Sequence, residues 1–238
     1  MIEVTVTDDA EAAARTCAER VAATIEQARA ARGVAHVALA GGTTPARTYE
    51  LLPRLVEDWR DVHLWLGDER CVALDDPDSN AVLVRDTLFA ALPADGPGPI
   101  LHRVEQAGNG DPPTAAATYA RELRAAIPGD PLPQLDLALL GLGEDGHTAS
   151  LFPDDPVLEE RERLVVAVRG RKPPPDRVTF TLTVLRAARA IVVLTAGAGK
   201  AEAVAAMLAG PSQHVPASLL GEGARVELIA DRAAAGTA

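Results

Sequence analysis

Short apolar runs alternate with amphipathic stretches along this chain, and the alternation predicts strands and helices in turn. Ile2 to Val6 alternates apolar and polar residues as a half-buried strand does. Asp8 or Asp9 can cap the Ala-rich helix that follows to about Arg32, and Gly33 ends it. His36 to Ala40 predicts a buried strand running into Gly41-Gly42-Thr43-Thr44-Pro45. Pro45 suits the first turn of a helix that Tyr49, Leu51, Leu52 and Leu55 continue at helical spacing. Val62 to Leu66 predicts a third strand, followed by a loop through Gly67, Asp68, Glu69 and Arg70 to Ser79, which caps a helix reaching Leu88 or Phe89. Ala91 to Pro113 is rich in Pro and Gly and reads as a surface connection carrying a short strand over Leu101 to Val104. Beyond it the pattern predicts a helix over Thr114 to Ile127 and strands over Leu137 to Leu142 and Leu164 to Val168. A buried strand over Ala190 to Thr195, a helix to Leu208, one turn at Pro216 to Leu220 and a last strand over Arg225 to Ala230 complete it.

Strands alternating with helices predict an α/β fold, with a mostly parallel, Rossmann-like sheet and helices on both faces. No internal repeat or low-complexity linker divides the chain, so one domain over residues 1–238 is expected. A length of 238 residues suffices for a sizeable core, and 3% aromatic content means that Ala, Val and Leu must build it. The formal net charge of -11 argues against nucleic-acid and anionic-membrane partners, because a negative body repels phosphate polymers. A small phosphate ester stays open, since a few local Arg and Lys residues override the overall field. Cys17 and Cys71 stand far apart in no metal-ligand spacing and read as free thiols of a reducing compartment. The N-terminal stretch lacks the pattern of a secretory signal, and no apolar run approaches the ~20 residues of a membrane span. A cytoplasmic protein, monomeric or weakly homo-oligomeric, is expected.

The densest candidate chemistry lies in Asp136 to Pro153, where an apolar run breaks into Gly141, Gly143 and Gly146 around Glu144, Asp145 and His147. Open α/β sheets bind ligands at the carboxyl ends of such strands. A lone histidine is more often satisfied by a neighbour, but here polar groups and glycines crowd together. Gly41-Gly42-Thr43-Thr44 between a strand and a helix outlines a phosphate cradle, with amides and hydroxyls as donors. Arg70, preceded by Asp68 and Glu69, is either one member of a surface ion pair or a guanidinium held in place and aimed at an anion. Arg169, Arg171, Lys172 and Arg177 form a basic cluster in an acidic chain, Arg171 reading as a solvated loop residue. Lys200 opens a helix, where a cation opposes the dipole, which points to an anionic partner.

Four blocks, AGGTTP (40–45), LGDERCVALDDPDSN (66–80), LGLGEDGHTASLFP (140–153) and RVTFTLTVL (177–185) with GAGK (197–200), resemble the 6-phosphogluconolactonase family and run in its order. That fold is shared with glucosamine-6-phosphate deaminases and ribose-5-phosphate isomerases. The third block is the most specific. The deaminases continue it into an Ile-Ala-Phe-Asn-Glu-Pro type of sequence, whereas this chain continues Thr148 to Pro153 in the lactonase manner. Ala40 stands where the family often has Ser, and Thr183 and Arg186 stand where Pro and Asn are expected, as packing positions.

The resemblance implies hydrolysis of 6-phospho-D-glucono-1,5-lactone to 6-phosphogluconate, the second step of the oxidative pentose phosphate pathway. An imidazole suits proton abstraction from water, which gives His147 the role of base. Either Glu144 or Asp145 orients it. Gly41, Gly42, Thr43 and Thr44 would meet the phosphate, with Arg70, Arg177 and Lys200 as cations, one arginine facing the lactone carbonyl instead. Asp68 and Asn80 position loops or sugar hydroxyls. No cofactor is expected and no metal, since His147 has no histidine partner at ligand spacing. The rival readings are an amino-sugar-phosphate isomerase/deaminase and a non-catalytic sugar-phosphate sensor.

Overall fold

Alternate residues of the central strands sort to opposite sides of one sheet, and helices cover both. In the computed structural model, which describes residues 2–105, 110–127, 129, 131–222 and 224–237, strand β1 (Ile2–Thr7) leads into helix α1 (Ala10–Arg32). Asp9 caps α1 by accepting a hydrogen bond from the Ala12 N–H at 2.8 Å. Strand β2 (Ala35–Leu39), helix α2 (Ala46–Leu51) and strand β3 (Val62–Leu66) follow, then strand β4 (Asp68–Arg70) and helix α3 (Asn80–Thr87). Strand β5 (Ile100–His102) precedes helix α4 (Pro112–Ala126), which starts two residues earlier than its pattern predicts because Asp111 caps it and Pro112 fits its first turn. Residues 106–109 of the expected surface connection lie outside the described residues. Strands β6 (Leu137–Gly141), β7 (Val165–Arg169) and β8 (Asp176–Phe180) come next, then helix α5 (Leu182–Ala187). Strand β9 (Ile191–Thr195), helix α6 (Ala201–Leu208) and strand β10 (Val226–Asp231) close the fold.

Seven strands form a parallel sheet in the order β1-β10-β9-β6-β2-β3-β5. Val37 and Leu39 of β2 and Leu137 and Leu139 of β6 pack towards α1, α2 and α3. Ala38, Ala138 and Leu140 point the other way, towards α4, α5 and α6. The chain builds β2, β3 and β5 outward on one side, then crosses back to lay β6 against the other edge of β2. That reversal between β2 and β6 leaves a crevice at their carboxyl ends.

Asp68, Glu69 and Arg70 do not lie in a loop, as their sequence implies. They form β4 of a second, three-stranded antiparallel sheet in the order β4-β8-β7, with Asp68 opposite Thr179, Glu69 opposite Val178 and Arg70 opposite Arg177. A polar run of three residues carries no periodicity of its own, and only the distant β8 makes it a strand. Helix α5 also has no counterpart in the sequence reading. In it Thr183 hydrogen-bonds the Glu160 carbonyl at 3.2 Å and Arg186 Nε donates to the Leu219 carbonyl at 2.8 Å.

Register on the main sheet stacks three of the five histidines beneath α4. His36, His63 and His102 stand on the adjacent strands β2, β3 and β5. His63 Nδ1 lies 2.8 Å from His102 Nε2, and the Trp65 indole stacks on the His102 ring at 3.7 Å between centroids. Trp65 Nε1–H donates to His36 Nδ1 at 3.3 Å, and His102 Nδ1 meets Glu122 of α4 at 2.5 Å. Burial first, and then the positive charges that His63, His102 and Arg32 would present, push His36 down to about 4. His63 is lowered by burial and by His102, with Asp61 opposing. An unfolded histidine binds its proton near pH ~6.5, so at intermediate pH the unfolded chain holds more protons than the folded one. The contribution is therefore full above pH ~6.5 and is lost as pH falls towards the folded value, by up to about 3 kcal/mol for His36. Urea midpoints followed by tryptophan fluorescence at pH 7 and pH 4.5 are expected to fall further for the wild type than for His36→Gln. Equal losses would remove this cluster as a source of acid sensitivity.

Candidate active site

The crevice between the carboxyl ends of β2 and β6 opens into a cleft of about 230 Å³. Gly41, Gly42, Thr43 and Thr44, leaving β2, form one wall, and Gly143 and His147, leaving β6, form another. The small sheet folds over the top and adds Asp68 and Arg70 from β4 and Arg177 from β8, while Asn80 enters from the start of α3 and Lys200 from the turn before α6. Among the described residues no three or more His, Cys, Asp or Glu side chains are grouped so as to hold a metal ion.

His147 is held at both its ring and its backbone. Its Nδ1 bonds the Asp145 carboxylate, which also accepts the His147 N–H at 3.2 Å, and its carbonyl accepts the Gly143 N–H at 2.8 Å. Burial alone would raise the Asp145 carboxyl, but the bond and charge from the His147 ring, together with backbone N–H donors, outweigh it and leave the carboxyl below its usual range. With Nδ1 committed to Asp145, Nε2 is the nitrogen that remains to take a proton. Asp145, not Glu144, therefore orients the ring. Glu144 is exposed, does not line the cleft, and stands near Gly199. A turn this tight needs glycine, because a Cβ on Gly143 would sit 2.0 Å from His147 Nδ1 and 2.7 Å from Asp145 Oδ1. Gly143→Ala is thus expected to push the imidazole aside and lower kcat by about 10²-fold, with product binding retained. A variant that turned over like the wild type would show that ring placement is unimportant.

Arg70, Arg177 and Lys200 converge on the cleft, and among the described residues none of them forms an ion pair, although the Asp68 and Asp78 carboxylates bear on Arg177. Arg70 and Arg177 sit directly opposite each other on β4 and β8, an arrangement that costs stability unless an anion lies between the charges. Arg177 is pulled down by burial first and then by Arg70. Neither Asp68 nor Glu69 forms an ion pair with the Arg70 guanidinium; its Nη1 donates to the Asp78 carbonyl, and its buried Nε has no hydrogen-bond partner among the described residues. Arg177 donates from Nε to the Pro174 carbonyl at 3.2 Å and lies over the Phe152 ring, whose other neighbour is the His147 ring at 5.2 Å. Lys200 reaches back to the Leu142 carbonyl at 2.9 Å. Arg171 is an exposed loop residue, as expected, whose Nη2 also donates to the Pro153 carbonyl at 2.7 Å and ties the basic turn to the His147 block.

Behind the cations lies a buried polar layer of Asp68 and Asn80, both expected from the sequence to position the site, joined by Ser150, which the sequence reading did not single out. Asp68 Oδ2 accepts from Ser150 Oγ at 2.6 Å, and Asn80 Nδ2 donates to the Asp68 carbonyl at 2.8 Å. Asn80 in turn presses on Gly41, where a Cβ would lie 2.0 Å from Asn80 Oδ1. Ser150 stands three residues after His147, so its position was a signal, but its partner is 82 residues away. Glu69 lies on the far side of β4 and is almost fully buried. Burial raises its carboxyl, against hydrogen bonds from the Asn80, Ala81 and Arg70 amides and the Ser79 hydroxyl that lower it.

The matches to known proteins span nearly the whole chain. A family model described as glucosamine-6-phosphate isomerases/6-phosphogluconolactonase matches residues 8–229. The 6-phosphogluconolactonase of Synechocystis sp. is 40% identical over 200 residues, covering 82% of this chain and 81% of that protein. The 6-phosphogluconolactonase of Streptomyces coelicolor is 38% identical over 242 residues, covering 95% and 91%. The solved structure of 6-phosphogluconolactonase from Trypanosoma brucei matches with a TM-score of 0.83 at 27% identity, covering 99% of this chain and 98% of that one. With the α/β architecture, the β2–β6 crevice and these matches in agreement, the chain belongs to the glucosamine-6-phosphate isomerase/6-phosphogluconolactonase family.

Proposed function

We propose that this chain hydrolyses 6-phospho-D-glucono-1,5-lactone to 6-phospho-D-gluconate, the second step of the oxidative pentose phosphate pathway, with His147 as general base. The observation that carries the reading is one cleft with an Asp145-oriented imidazole on one wall and two facing arginines on another. His147 Nε2 takes a proton from water, and the resulting hydroxide oxygen bonds to the lactone carbonyl carbon. Negative charge develops on the carbonyl oxygen, and Arg70 or Arg177 stabilises it. Collapse breaks the bond to the ring oxygen, which receives the proton from His147, giving the open hydroxy acid. The phosphate lies against Gly41 to Thr44, with Lys200 and the remaining arginine as counter-charges. Asp68 and Asn80 hold β4, α3 and the Gly41 turn together and present polar atoms to the sugar. The free thiols Cys17 and Cys71 fit a cytoplasmic setting, and no helix among the described residues is long and apolar enough to cross a membrane.

Substrate choice tests the reading. Freshly generated 6-phosphogluconolactone is expected to open with a kcat/KM at least about 10-fold above that of unphosphorylated gluconolactone, the scale of one charged hydrogen bond. Ammonia release from glucosamine 6-phosphate, with no lactone opening above background, would instead favour the deaminase branch of the family.

A further inference from the structure

We infer that Glu69 is a positioning residue for the phosphosugar cleft, locking Arg70 and Asn80 into one rigid unit; the inference rests on the proposed role of Arg70. Glu69 does not itself line the cleft. β4 sends Asp68 and Arg70 towards the cleft and Glu69 to the opposite side, against the start of α3. There its two carboxylate oxygens accept four hydrogen bonds. Oε1 takes the Arg70 and Asn80 amides, both at 2.7 Å, and Oε2 takes the Ser79 hydroxyl at 3.0 Å and the Ala81 amide at 2.9 Å.

A helix cap alone does not account for this arrangement. α3 already has an ordinary cap, Ser79, whose hydroxyl accepts the Val82 amide. A carboxylate that is 3% exposed is costly to bury, and here only neutral donors compensate it. What the carboxylate adds to the cap is the bridge through Oε1, which joins two residues that both line the cleft. Asn80 extends the bridge to the Asp68 carbonyl and presses on Gly41, so one buried group sets the relative placement of three walls. An anchor of this kind acts on ligand binding, because it places a cation and leaves the imidazole untouched.

Steady-state kinetics on four variants, with thermal midpoints alongside, test this. Glu69→Asp, one methylene short, withdraws the Oε1 bridge from Arg70 and Asn80, and is expected to raise KM about 10-fold with kcat within about 3-fold. Glu69→Gln keeps one oxygen for Arg70 and Asn80 but turns an amide towards the Ala81 N–H, is expected to give a smaller rise of the same kind, and serves if Glu69→Asp does not fold. Ser79→Ala loses the ordinary cap and the hydroxyl bond to Glu69 Oε2 but leaves the Oε1 bridge whole, and is expected to lower the midpoint while holding KM within about 2-fold. Wild-type KM in both Glu69 variants, or an equal KM rise in Ser79→Ala, would overturn the inference. Arg70→Ala separates the two levels: an unchanged KM there removes the proposed role of Arg70, whereas a raised KM there beside wild-type Glu69 variants removes only the positioning role.

Discussion

Replacing His147 with alanine is expected to lower kcat by about 10²- to 10⁴-fold while leaving KM within a few-fold. The magnitude is that of one positioned general base, and the ring is positioned by three contacts. Asp145 takes Nδ1, the same carboxylate takes the backbone N–H, and Gly143 binds the carbonyl. Affinity survives because the cations are anchored elsewhere, Arg70 on the Asp78 carbonyl, Arg177 on the Pro174 carbonyl and Lys200 on the Leu142 carbonyl. Asp145→Asn is expected to share the kcat loss in weaker form, since it leaves the imidazole present but removes the charge that fixes its tautomer. Wild-type turnover in His147→Ala would remove this residue as the base.

Loss of Arg70 has the complementary signature. Arg70→Ala is expected to raise KM for the phosphorylated lactone by about 10- to 10²-fold, the value of a hydrogen bond to a charged group, with a smaller change in kcat. Its guanidinium faces Arg177 across the β4–β8 pair, and its buried Nε has no hydrogen-bond partner among the described residues. On the proposed function, an anion bound between the two guanidiniums would offset their like charges. Without ligand, removing one of two facing cations relieves repulsion, so the variant is expected to be no less stable than the wild type in thermal unfolding. A KM unchanged in Arg70→Ala would place the phosphate elsewhere.

The pieces legible in the sequence were those whose meaning is local. A buried strand running into Gly41 and Gly42, and another running into Gly143, Gly146 and His147, declare themselves within a dozen residues. Parallel strands with helices between them then bring those two turns together at the β2–β6 reversal. What stayed hidden depends on distant partners. Nothing in Asp68-Glu69-Arg70 marks a strand until β8 lies beside it, and nothing marks Ser150 as the partner of Asp68. Glu144 and Asp145 were equivalent on paper because both precede His147 in the same turn. The backbone path through Gly143 and Gly146 decides between them, turning Asp145 to the ring and Glu144 to solvent. The stacking of His36, His63 and His102 was equally invisible, since it arises from strand register.

The most direct measurement is a stopped assay of freshly generated 6-phosphogluconolactone at neutral pH, comparing wild type, His147→Ala and the uncatalysed background, with 6-phosphogluconate binding measured on both proteins. Fast opening by the wild type, a rate near background for His147→Ala and similar product affinity in both are the predicted results. Wild-type opening no faster than background, in a protein that still binds 6-phosphogluconate, would contradict the lactonase assignment and leave a sugar-phosphate binding protein in its place.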